Sequence, residues 1–204
     1  MDDHAKTHTL LEEADAFARS RLSIARYEHT LRVADTAENL ALAHGLDADR
    51  ARLAALLHDA AREMGPEEFL KLADKWNLRV GDPERQSPKL LHGPVAAELA
   101  RRELGIDDGE VLEAVMAHTT GRPGMGPFAL VLYVADKIEP ARDYLSVGRV
   151  RRLAREDLNG AALESLRRAI AHNEARGKAT HPASRKTLDW LETDRTTQSR
   201  IEQE

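Results

Sequence analysis

The chain has 204 residues, 42% of them hydrophobic, which suits one domain with a real core. Its 30 basic and 35 acidic residues leave a net charge of −5, so no general attraction to nucleic acid or to an anionic membrane is expected. Zero cysteines exclude disulfides, zinc ribbons, thiolate nucleophiles and iron–sulfur clusters together, so any metal must be held by histidine, carboxylate and water. No apolar run approaches the roughly 20 residues that span a bilayer, and the start MDDHAKTHT has no charged-then-apolar signal pattern. A cytoplasmic protein with no membrane or nucleic-acid partner is therefore expected.

Alanine, leucine, glutamate and arginine dominate, aromatics are only 4%, and no alternating run of Val, Ile and Thr occurs, which predicts an all-α fold, a compact multi-helix bundle. A weak first helix covers about Leu10 to Arg21. The second starts near Ser23 and stops at Gly45, and the third opens at Asp47 and carries ARLAALLHDAARE to just before Gly65. Pro66 sits in the first turn of a fourth, PEEFLKLADKWN. The polar stretch with Gly81, Pro83 and Pro88 is predicted as a loop, a lid or rim. A fifth helix follows from Leu90 or Gly93 to Leu104, and a sixth from Asp107 or Asp108 through EVLEAVMAHT. Pro127 opens the seventh, FALVLYVADKIEPAR, the most apolar segment and the predicted central helix. Helices over Val147–Glu156 and Gly160–Ala175 and a shorter HPASRKTLDWLE segment complete the pattern. These boundaries divide the chain into an N-terminal segment (1–22), a core (23–145), additional C-terminal helices (146–192) and a disordered polar tail (193–204). The C-terminal helices have two open placements, on the core or on a second copy in a homodimer.

The informative residues are polar ones on apolar faces. His29 shares a helix face with Val33, Ala37 and Leu40 and so points inward. Leu53 to Leu57 runs straight into His58 and Asp59, and Phe128 to Ala135 carries no charge before Asp136. A lone ionised carboxylate in such a place costs several kcal/mol, so each needs a cation, strong donors or a water-filled cleft. His92 and His118 stand at a helix start and a helix end, where a cleft lip would be. His29, His58, Asp59, His92, His118 and Asp136 together offer imidazole and carboxylate, the ligand chemistry of manganese, iron, cobalt or zinc, in a number that suits two ions. Each alone has a plain alternative: a hydrogen-bonded core histidine, or an aspartate paired with arginine. The dipeptide His58-Asp59 is worth little by itself, since chance supplies about 0.7 such pairs in a chain of this composition. The order H…HD…H…H…D over five helices, with every member inward or at a helix end, departs from chance. His4, His8, His44 and His172 fit no pattern and are read as solvated.

The blocks RYEHTLRVADTAENLA, ARLAALLHDAARE, LLHGPVAAELA, AVMAHTTGRPGM and LYVADKIEPAR resemble, in order, those of the HD-domain metal phosphohydrolase superfamily. Within it they resemble the bacterial YqeK family of symmetrical diadenosine tetraphosphate hydrolases, over about Arg26 to Arg142, and the segment at His181 resembles that family's C-terminal block more weakly. Arg32 and Arg62 depart from the residues usual there. The resemblance implies a bundle of HD-domain type, a metal site of His29, His58, Asp59 and Asp136, and a second site completed by His92 and His118 with Asp59 able to bridge. It implies one or two divalent transition-metal ions, iron foremost, with manganese or cobalt as alternatives. It also implies hydrolysis of a dinucleoside tetraphosphate at the central anhydride to two nucleoside diphosphates, with Asp59 and His58 as the catalytic pair of the motif.

Four phosphates demand cations beyond a metal, and Arg26, Arg62, Lys137 and Arg142 lie close to these motifs, each with an ordinary ion pair as its alternative. Thr119, Thr120 and Gly121 either offer hydroxyl and N–H groups to phosphate or cap a helix. Two competing readings stand beside symmetrical cleavage. One is an HD phosphohydrolase acting on a nucleoside tri- or monophosphate or a guanosine alarmone. The other is a non-catalytic nucleotide sensor or regulator, for which RVRRLARE around Arg149 to Arg155 is the lone basic segment and is more simply a solvated face.

Overall fold

The computed structural model describes residues 3–201, with side chains over 7–194. Eleven α-helices and no strand occur among the described residues. Local chemistry sets most of their starts. Helix α1 covers Asp3–Arg21 and α2 covers Ile24–Ala43; Ser23, between them, gives both its N–H and its hydroxyl to the Glu63 carboxylate, at 2.6 Å each. Asp47 accepts the Arg50 N–H and starts α3 (Ala48–Leu57), and Asp108 accepts from Glu110 and Val111 and starts α7 (Gly109–Ala117). Pro66 opens α4 (Pro66–Lys75) and Pro127 opens α8 (Pro127–Ile138), positions where the missing proline N–H needs no partner. Between them lie α5 (Asp82–Gln86), a short 3₁₀ turn (Pro88–Leu91) and α6 (His92–Glu103). Helices α9 (Val147–Leu153), α10 (Leu158–Ala175) and α11 (Pro182–Ile201) follow.

Every residue of α8 from Phe128 to Asp136 is buried, because α2, α3, α7 and α10 all pack around it. This helix is the axis of the bundle, as its sequence predicts. Helix α1 lies on α3 with Ala14 and Ala18 fully buried, and α10 packs on α8 while α11 packs on α10. The C-terminal helices thus sit on the core of their own chain. Small residues bring the site-bearing helices together: a Cβ on Gly93 would lie 2.9 Å from the Val115 carbonyl and 3.1 Å from that of Met116, so only glycine lets α6 approach α7 this closely.

Several segments differ from expectation, α1 beginning at Asp3 rather than at about Leu10. Helix α3 ends at Leu57, not before Gly65, because from His58 onward the backbone bonds shorten to an i−3 pattern (Ala60 to Leu57, Arg62 to Asp59, Met64 to Ala61) and the chain turns. The expected Gly81–Lys89 loop holds α5 and the 3₁₀ turn; Glu84 accepts the Gly81 N–H at 2.8 Å and organises that helical turn. Helix α11 continues past Glu192 through the segment expected as a disordered tail, since neither Gly nor Pro follows Pro182; residues 202–204 lie outside the described residues.

Candidate metal centre

His29 projects from α2, His58 and Asp59 from the turn after α3, His92 from the first position of α6, His118 from the end of α7 and Asp136 from α8. All six are buried, with relative exposures of 0–7%. The expected set is therefore brought to one place. Asp59 lies at its centre. Its Oδ1 faces His92 Nε2 at 3.3 Å and His118 Nε2 at 3.8 Å, while Oδ2 faces His58 Nε2 at 3.5 Å and His29 Nε2 at 4.0 Å. One carboxylate oxygen thus addresses each half of the cluster. Asp136 Oδ1 lies 3.2 Å from His29 Nε2.

The tautomers follow from where the imidazoles sit. The last carbonyls of a helix have no partner within it, and three rings use them: His58, His92 and His118 donate Nδ1–H to the carbonyls of Ala55, Lys89 and Val115, each three residues back, at 2.5, 2.6 and 2.7 Å. His29 sits mid-helix and instead donates Nδ1–H to Glu139 Oε1 at 3.2 Å. With Nδ1 committed in this way, all four rings turn Nε2 inward. His29 Nε2 and His58 Nε2 are buried with no hydrogen-bond partner, and the Nε2 atoms of His92 and His118 face each other at 2.9 Å. Two lone pairs at that distance repel unless a cation or a proton lies between. Two nitrogens each about 2.1 Å from one ion and at right angles would lie about 3 Å apart, so the donor set and its orphaned atoms fit divalent metal. Ligand atoms of His29, His58 and Asp136, and of His58, Asp59 and His118, fall within 4.8 Å of one another.

Electrostatics keep the carboxylates ionised. Burial pushes Asp59 up, but the attraction of His58, with His92 and His118 packed close by, outweighs it and holds the carboxyl well below the ordinary range. For Asp136 burial is likewise outweighed, by Lys137, His29, His58 and Arg142. Lys137 Nζ lies 2.6 Å and Arg142 Nη2 2.7 Å from that carboxylate. The aspartate–arginine alternative and the ligand reading thus coexist at one residue. Burial, with His92 and His58 as neighbours, holds His118 well below the usual imidazole range, which keeps its ring neutral.

Above the cluster is a polar cavity of 220 Å³ lined by Arg26, Arg62, Thr119, Lys137 and Arg142 together with Asp59, His92, His118 and Asp136. Every cation expected from the motifs lines it. Arg26 reaches Asp59 at 3.1 Å, Arg62 stands 4.0 Å from the same carboxylate, and the Thr119 hydroxyl is 3.1 Å from His118 Nε2 and 3.2 Å from His92 Nε2. Thr120 and Gly121 lie outside it. The Thr120 carbonyl accepts from Ser184, and Gly121, at φ +68°, packs against Thr187.

Sequence reasoning missed three residues. Glu139, 3% exposed, holds His29 by one oxygen and accepts Arg32 Nε (2.9 Å) and the Ala141 N–H (2.8 Å) with the other. Arg32, the departure noted in the YEHTL block, is thus the countercharge for that carboxylate. Arg151, read as part of a solvated basic face, caps the end of α8 with bonds of 2.8 Å to Ile138 O and Glu139 O and 3.0 Å to Arg142 O. The signal for Glu139 was its place inside ADKIEPAR; Arg151 had none. Among the histidines read as solvated, His44 donates to Ala154 O at 2.7 Å, whereas His8 is exposed beside Glu12 and His172 is exposed. The His4 side chain lies outside the described residues.

An all-α bundle with a buried histidine–aspartate cluster under a cationic cleft has the form of a metal-dependent phosphohydrolase. The HD domain family matches residues 26–141, and the chain belongs to that family. A protein of Bacillus subtilis named "Bis(5'-nucleosyl)-tetraphosphatase, symmetrical" is 38% identical over 88% of this chain and 96% of its own length. A protein of the same name from Staphylococcus aureus is 36% identical over 71% of this chain and 74% of its own. The crystal structure of a predicted HD superfamily hydrolase involved in NAD metabolism from Clostridium acetobutylicum superposes with a TM-score of 0.86 at 34% identity, covering 90% of this chain and 97% of that one. No described helix is long and apolar enough to cross a membrane.

Proposed function

We propose that the chain is a divalent-metal-dependent hydrolase that cleaves diadenosine tetraphosphate symmetrically to two ADP. The observation that carries this reading is the convergence of four inward Nε2 atoms and two carboxylates beneath a cavity rimmed by Arg26, Arg62, Lys137 and Arg142. The names of the relatives in Bacillus subtilis and Staphylococcus aureus supply the substrate. His29, His58, Asp59 and Asp136 would hold one ion, and His92 and His118 a second, with Asp59 between them. Iron is preferred, with manganese or cobalt able to substitute, in a cytoplasmic enzyme. A divalent cation there supplies Lewis acidity toward phosphate oxygens and a water nucleophile at neutral pH.

The chain's own groups do the rest. Carbonyls of Ala55, Lys89 and Val115 and the Glu139 carboxylate fix the four rings in one tautomer, so no proton must move before the site is competent. The guanidinium groups of Arg26 and Arg142 and the Lys137 ammonium, paired with Asp59 and Asp136, stand where a tetraphosphate needs countercharge. Thr119 offers a hydroxyl beside the cluster. Hydrolysis adds one water across the central P–O–P bond and leaves two phosphates on each product. Anaerobic incubation with diadenosine tetraphosphate and manganese, cobalt or ferrous ion, with nucleotides resolved by ion exchange, tests this. ADP as sole product, lost with chelator, is expected; ATP with AMP would mean asymmetric cleavage, and no turnover would remove the reading.

A further inference from the structure

A second cavity, of 440 Å³, meets the metal cleft at Thr119, which lines both. Its chemistry is the opposite of its neighbour's. Among the described residues no lysine or arginine lines it, whereas the 220 Å³ cleft holds four cations. Leu90, Pro83 and Pro182 give it apolar walls, Gln86, Ser87 and Asn173 add neutral polar groups, and Asp82 is its one carboxylate.

The walls come from segments distant in sequence that are tied together. His181 accepts the Ala183 N–H on Nδ1 (3.1 Å), so its Nε2–H is free to donate to Glu84 at 2.9 Å, fastening α5 to the start of α11. Ser184 donates to the Thr120 carbonyl at 2.9 Å, and a Cβ on Gly121 would stand 2.9 Å from Thr187, which brings the turn after α7 tight against α11. Such a volume lies within the range of roughly 300–1,000 Å³ usual for small-molecule sites. Phosphate finds no countercharge here; a flat ring and its sugar hydroxyls find apolar faces and neutral partners.

We propose that this cavity is the subsite for one nucleoside of the substrate, its base between the proline and leucine walls and its polar edge on Asn173. The phosphate chain then passes Thr119 into the cationic cleft. The assignment gives the C-terminal helices a role in recognition and rests on the hydrolase reading above.

The test measures ADP and pyrophosphate binding to manganese-loaded protein by calorimetry, for wild type, Asn173→Leu and Ala179→Trp. Ala179 is an exposed lining residue, so the bulky indole fills the cavity without entering the core. Wild type is expected to bind ADP more tightly than pyrophosphate. Loss of one neutral hydrogen bond in Asn173→Leu should weaken ADP about three- to tenfold, and Ala179→Trp more, with pyrophosphate unchanged in both. ADP affinity unmoved by both variants, or ADP and pyrophosphate falling in parallel, would overturn the subsite. Wild-type turnover of diadenosine tetraphosphate, assayed separately, reports on the hydrolase reading alone.

Discussion

Glu139→Gln removes a charge without removing volume, and the hydrogen-bond arithmetic around that side chain makes its effect specific. Glu139 Oε1 accepts the His29 Nδ1–H, and Oε2 accepts both Arg32 Nε and the Ala141 N–H. A glutamine has one oxygen. If that oxygen stays on Arg32 and Ala141, the amide NH₂ faces His29, whose Nδ1 must then accept. The ring proton moves to Nε2, and the lone pair aimed at Asp136 and the metal position is lost. If the oxygen turns to His29, the NH₂ opposes two donors instead. Either arrangement disables one partner. Replacing a group that holds a metal-binding histidine typically costs 10–100-fold in metal affinity, or about 1.4–2.8 kcal/mol. Competition with a chromophoric chelator, alongside a thermal melt, measures this directly. Metal affinity within about twofold of wild type would refute the tautomer argument.

Asp59→Ala and His58→Ala should each abolish metal binding and turnover while far-ultraviolet circular dichroism stays helical, because both residues end a buried run rather than build the α8 core; retained turnover would reassign the site. Gly93→Ala places a methyl against two backbone carbonyls of α7 and should cost about 1–3 kcal/mol in chemical denaturation, with weakened metal binding as His92 shifts. Arg151→Ala frees four carbonyls at and just beyond the end of α8 and should lower stability by about 1–2 kcal/mol, with a loss of turnover at limiting metal through the displaced Asp136–Arg142 turn. Hydrogen bonds from Arg50, with the cap N–H groups of Val111 and Glu110, hold the Asp108 carboxyl below its ordinary value. A depressed carboxyl contributes stability above its unfolded pKa of about 3.9 and loses it as pH falls through the lower folded value. Asp108→Asn should therefore be about 1 kcal/mol less stable at pH 7, with the gap to wild type closing below about pH 4; a gap constant with pH would contradict this.

Legibility followed the range of the forces involved. Helix starts at Asp47, Asp108, Pro66 and Pro127 are set within one turn of chain and could be read directly. The inward face of His29 and the buried runs before Asp59 and Asp136 follow from periodicity and local hydrophobicity, so the six cluster residues were legible as candidates. The early end of α3 was not, because the turn at His58 is made by its own ring bonding back to Ala55, a choice composition does not record. The segment from Gly81 reads as loop on its prolines, yet Glu84 folds it by accepting Gly81 N–H and His181 Nε2–H, the latter from nearly a hundred residues away. Glu139, Arg32 and Arg151 share that limitation: each is defined by partners on another element.

The measurement closest to the central claim is product identity. Protein loaded anaerobically with ferrous ion, or with manganese or cobalt, is given diadenosine tetraphosphate, and the nucleotides are separated. ADP alone, abolished by chelator and by Asp59→Ala, is the expected result. ATP with AMP, or turnover that survives chelation and the Asp59 variant, would contradict symmetrical metal-dependent hydrolysis at this cluster.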